Sequence, residues 1–143
     1  MGADYYSKLV AGVKLSSILE EVTSSATKYN PNTGEPYQIP VTKYKIFGEL
    51  VDSLSELSIG KDGELDSIFH CASDIWDLMQ YGTPRWKEEV IFGIKIKESD
   101  WYKNLQPVSI AEIEDAKIQV MELLHPYYPA LDPTLHLILR ASC

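Results

Sequence analysis

Val90-Ile91-Phe92-Gly93-Ile94-Lys95-Ile96-Lys97 is the densest run of strand-forming residues in the chain. Its first half is apolar at every position and its second half alternates. The run therefore predicts a strand that begins buried on both faces and emerges with Lys95 and Lys97 on one side, as a central strand of a covered sheet does. A second stretch, Leu9-Val10-Ala11-Gly12-Val13-Lys14-Leu15, repeats the pattern with its glycine and the following lysine in register. Single glycines inside strands point to close backbone approach, so the two stretches are expected to be packed structural strands rather than phosphate-cradling loops.

The chain around these strands has 143 residues, enough for one domain over 1–143 that buries most of the surface its unfolded form exposes. An apolar fraction of 45% with 24% charged residues is a globular composition. No apolar run approaches the roughly 18 residues of a membrane span, and the acidic start Met1-Gly2-Ala3-Asp4 does not resemble a secretory leader. Cys71 and Cys143 make no metal or disulfide spacing, which fits a reducing, cytoplasmic setting. The net charge is −8, with the acid concentrated in residues 48–79 and 98–122. Such a surface repels phosphates over a Debye length of about 8 Å, which argues against generic nucleic-acid binding.

Working outward from the strands, the first should run from about Tyr5 to Leu15, with Ser16 and Ser17 capping a short turn that carries Ile18 and Leu19. Asn30-Pro31-Asn32-Thr33-Gly34-Glu35-Pro36 is the strongest turn signal in the chain, and extended-chain formers flank it on both sides. A long β-hairpin follows, roughly 22–29 pairing with 37–46, and Pro40 makes it an edge or a protruding arm. Apolar spacing at Leu50, Val51, Leu54 and Leu57 predicts a short helix over 49–57. Similar spacing from Leu65 to Met79 predicts a clearer one over 64–81. Ser109-Ile110-Ala111-Glu112 is a capping box that opens a helix running to Leu124, and Leu135–Ala141 is expected to be a last buried strand. The helix before it makes the strands near 86–97 and 134–141 candidate parallel neighbours. The fold class is then α+β: a two-layer domain with a small mixed β-sheet, a protruding hairpin, and two or three helices on one face.

Candidate chemistry is sparse. His70 lies one helical turn from Asp66 and Asp74 if 64–81 is a helix, so these three are the candidates for a divalent cation and for a metal-assisted enzyme. A solvated helix face is the plainer reading. His125 and His136 lack the hydroxyl residues two positions later that a paired-histidine phosphoesterase would need; Tyr127 and Ile138 stand there instead. Lys14, Arg85, Lys95 and Lys97, near strand ends, could counter the charge of a small anionic ligand such as a nucleotide. The hairpin offers more, because Tyr29, Tyr37 and Tyr44 stand with Lys28, Lys43 and Lys45 in an otherwise acidic chain, and tyrosine beside a basic residue is good contact material.

The opening Asp4-Tyr5-Tyr6-Ser7-Lys8-Leu9-Val10-Ala11-Gly12-Val13-Lys14-Leu15, with the Tyr29–Tyr37 turn after it, resembles the start of small uncharacterised proteins of tailed bacteriophages and their bacterial hosts. The resemblance implies a cytoplasmic accessory protein acting on a host component and carries over no catalytic residue. The expectation from the whole sequence is a non-enzymatic, inhibitor-like or accessory protein without cofactor. It would bind a protein partner, or a second copy of itself as a homo-oligomer, through the hairpin and the acidic helices, with no membrane partner and no generic nucleic-acid binding.

Overall fold

The computed structural model describes residues 4–57, 68–100 and 107–142. In chain order it contains β1 (Asp4–Lys14), β2 (Glu20–Tyr29), β3 (Pro36–Ile46), β4 (Glu49–Val51), β5 (Phe69–His70), α1 (Ile75–Tyr81), β6 (Ile91–Asp100), α2 (Ile110–Leu124) and β7 (Thr134–Ser142). Short 3₁₀ turns at Leu15–Ser17, Leu54–Glu56 and Trp86–Glu88 connect them.

β1 is the centre of the larger sheet, whose order is β5-β6-β1-β7, and β2, β3 and β4 form a second sheet. The α+β class stands. All pairings among the described strands are antiparallel, however, so the sheet is not mixed. β6 and β7 do run in the same direction, but β1 lies between them. The α2 crossover spans a strand instead of joining neighbours.

The two glycine-bearing stretches pair directly, Gly12 opposite Gly93. A Cβ at Gly12 would collide with the Phe92 carbonyl oxygen and stand 2.9 Å from the Gly93 Cα, which is the close backbone approach that single strand glycines imply. Around this contact Ala11, Val13, Leu15 and Phe92 join Ile46, Leu54, Val120 and Leu124 in one core cluster. Each fully buried aliphatic there contributes about 1.5–3 kcal/mol relative to exposure.

α2 begins as its sequence predicts. The Ser109 Oγ accepts the Glu112 N–H (3.1 Å), and the Glu112 carboxylate accepts the Ser109 N–H (2.9 Å). Its buried stripe is Ala116, Val120 and Leu124.

Four further expectations are corrected. Residues 49–57 are not a helix: Phe47 (φ 51°) and Gly48 (φ 74°) form a two-residue turn that folds β3 back into β4. The Phe47 ring is kept there by packing 4.9 Å from Phe92 and 5.7 Å from Tyr128, centroid to centroid. The Tyr128 hydroxyl accepts the Phe47 N–H (2.9 Å) and donates to the Ile18 carbonyl (2.8 Å), bolting three distant segments together.

Residues 64–81 are not one helix. Residues 64–67 lie outside the described residues, Phe69–His70 pairs with β6, and α1 starts only at Ile75, where Asp74 accepts the Trp76 N–H (2.9 Å) as N-cap. Lys95 and Lys97 do not share a side, because a bulge sets Val10 opposite Lys95 and Leu9 opposite Lys97. Finally, β7 is an edge strand, not a buried one: α2 packs over β6 and β1, leaving Leu137 and Leu139 about two-thirds exposed at 65% and 66%.

Candidate functional site

The hairpin of β2 and β3 pairs over its full length, from Glu20 opposite Lys45 to Tyr29 opposite Pro36. Its tip is organised by Asn30, whose Oδ1 accepts the Asn32 N–H (2.8 Å) and whose own N–H donates to the Glu35 carbonyl (2.9 Å). Gly34 completes the turn at φ 74°, a conformation glycine takes without a Cβ penalty.

Register assigns the arm two unlike faces. One carries Glu21, Thr23, Ser25, Thr27 and Tyr29 against Tyr44, Thr42, Pro40, Gln38 and Pro36. At its base this face meets the body: Tyr44 stacks edge-on against Trp86 at 6.2 Å, and the Lys87 Nζ stands 4.0 Å from Glu21. Burial, and then the Glu21 carboxylate, push the Tyr44 hydroxyl's pKa above 10.0. Tyr44 is thus a packing residue, whereas Tyr29 at the tip is 66% exposed. Further out the face is polar, with Gln38 Nε2 donating to Thr27 Oγ1 (2.7 Å).

The other face pairs Lys28 with Tyr37, Ala26 with Ile39, Ser24 with Val41, Val22 with Lys43 and Glu20 with Lys45. Val22, Ala26, Ile39 and Val41 are not among the side chains packed on the core. They form an apolar stripe that the described core does not use, itself half-buried where the threonine face is exposed, and all three candidate lysines stand on it. Lys43 also lies 3.8 Å from Asp52.

At its base this outer face continues into a cleft of about 530 Å³ walled by Ser17, Leu19, Glu20, Lys45, Pro126 and Tyr127. Tyr127 is half exposed and was not a candidate. Its signal in the sequence was an aromatic pair, Tyr127-Tyr128, set in an otherwise proline-broken loop.

No family model, curated protein or solved structure matches this chain. Its sites are therefore read from their own chemistry.

The remaining candidates do not converge. Lys14 stands 3.9 Å from Glu88, Lys95 2.7 Å from Glu98 and Lys97 3.1 Å from Glu112, while Arg85 is exposed before the Trp86–Glu88 turn. Each lysine faces a carboxylate of its own. The Ser109 N–H, then Lys97, hold the Glu112 carboxyl below its ordinary value of 4.5.

His70 and Asp74 are not on one helix face, and Asp66 lies outside the described residues. His70 is buried on β5 with its Nε2 3.1 Å from the Gly93 carbonyl and its Nδ1 3.5 Å from the Lys8 Nζ. Donation to the carbonyl puts the ring proton on Nε2. Among the described residues, no three His, Cys, Asp or Glu side chains gather as a metal site would require.

His125 Nε2 lies 3.0 Å from the Leu131 carbonyl, and His136 Nε2 lies 2.9 Å from Thr134 Oγ1. Cys71 donates its S–H to the Ser73 carbonyl (2.7 Å). Among the described residues, no helix is long and apolar enough to cross a membrane.

Proposed function

We propose that this chain is a non-enzymatic protein-binding module whose arm recognises an acidic partner protein. The observation that carries the reading is the outer face of the hairpin, where Val22, Ala26, Tyr37, Ile39 and Val41 form an apolar strip bordered by Lys28, Lys43 and Lys45. At the base Glu20 stands opposite Lys45 and Asp52 lies beside Lys43, whereas Lys28 at the tip has Tyr37 opposite it. An apolar strip with lysine at its outer end suits a partner with matching apolar side chains and a carboxylate, the charge steering encounter and the apolar contact holding the complex. The cleft at Lys45 and Tyr127 extends the same surface and gives an anchoring side chain somewhere to enter.

The test is affinity capture from native cytoplasm with the parent chain, with Lys28→Glu/Tyr37→Ala on the outer, lysine-bearing face, and with Thr27→Ala/Gln38→Ala on the opposite threonine face, which is also exposed. The outer-face variant should bind the captured protein at least about tenfold more weakly, while the threonine-face variant binds like the parent. Equal capture by all three, with unchanged circular dichroism, would sink the proposal.

A further inference from the structure

β7 supplies one rim of the larger sheet, and among the described residues its only strand neighbour is β1. Edges of this kind are usually blunted by proline, by charge or by shortness. This one has nine residues with no proline, acid or lysine, and Arg140 near its end is its one permanent charge. On the face that α2 shares, β7 presents Leu135, Leu137 and Leu139, which are 41%, 65% and 66% exposed and register with Ala11, Leu9 and Ser7.

α2 contributes to the same face. Glu112 reaches Lys97 on β6, which turns that flank of the helix toward β6. At about 100° per residue the opposite flank carries Ile110 and Met121 and looks toward β7. Ile110 is 78% exposed, and an apolar hollow beside Met121 is lined by Ile118 and Pro126.

We infer that this face receives a second copy of the chain, with the two β7 strands pairing antiparallel about a twofold axis at Leu137. That operation sets Leu137 opposite Leu137 of the second copy and Leu135 opposite its Leu139, so each leucine row meets the other on one face. With the axis at Leu137, His136 is opposite Ile138. A foreign strand would have to bring its own alternating leucines, whereas a second copy carries them already.

The dimensions reach the lower end of the range for stable interfaces. Nine residues span about 30 Å, and one sheet layer with its helix is about 20 Å deep, giving roughly 600 Å² per copy against about 800 Å² in a standard interface. The product is a continuous eight-stranded sheet, with an α2 from each copy flanking the twofold on one side.

Analytical ultracentrifugation of the full chain tests this. The parent should sediment as a dimer of 16.2 kDa protomers. Leu137→Lys/Leu139→Lys should raise the dissociation constant at least about 100-fold while leaving the circular dichroism spectrum unchanged, because both side chains already face solvent. In a Cys71→Ser/Cys143→Ser background, Leu137→Cys should oxidise to a covalent dimer, and Leu50→Cys, exposed elsewhere, should not. A parent that stays monomeric at about 100 μM overturns the assignment. So does a dimer unaffected by the two lysines, or one lost only when Lys28 and Tyr37 on the arm are changed.

Discussion

Gly12 and Gly93 stand opposite each other on β1 and β6, and the atoms a methyl group would strike are backbone, which cannot swing aside. Gly12→Ala should therefore cost about 3 kcal/mol in urea unfolding at constant slope. A loss below about 1 kcal/mol would show that the strands separate easily. This pair was legible in the sequence, since two single glycines in matching apolar runs imply close approach. Phe47 was not, because an aromatic residue at positive φ violates the local preference that sequence reading relies on. Only the ring packing against Phe92 and the N–H bond to Tyr128 explain it, and both partners lie far away in the chain.

Among the elements, α2 was readable because its signals are local: a serine, a glutamate three residues on, and an apolar stripe. Its cap also gives it a pH dependence. The folded Glu112 pKa is depressed, so its contribution is present above the ordinary value of 4.5 and is lost as the pH falls through the lower folded value. Glu112→Gln should flatten that part of the acid limb when stability is followed by circular dichroism between about pH 5 and pH 2. A limb identical to the parent's would mean that Lys97 and Ser109 do not favour the charged form. The 49–57 and 64–81 segments misled for the opposite reason. Their helical spacing is real, but β4 and β5 pair with β3 and β6, a tertiary demand that spacing cannot register. Asp74 did carry a local clue, as an aspartate directly before Ile75 is a preferred N-cap rather than a mid-helix residue.

For the molecule as a whole, the α+β class and the arm followed from strand patterns and one strong turn, whereas strand order did not, since nothing local says that β6 and β7 flank β1. The arm's attachment lies at its base, through Tyr44, Glu21 and Ile46. Replacing residues 27–38 by Asn-Gly should thus leave the melting temperature within about 4 °C of the parent in calorimetry, and a larger fall would show that the outer arm supports the core. The central position of β1 also has a temporal side. During synthesis this strand emerges before either of its neighbours, and Gly12 waits for Gly93 on one side and Thr134 on the other. The β2–β3 arm, built from contacts near in sequence, closes early, while the sheet's middle strand stays without a partner until most of the chain exists. Such non-local pairing makes for slow folding, and it leaves the apolar run from Leu9 to Leu15 as the segment for a chaperone to hold in the interval.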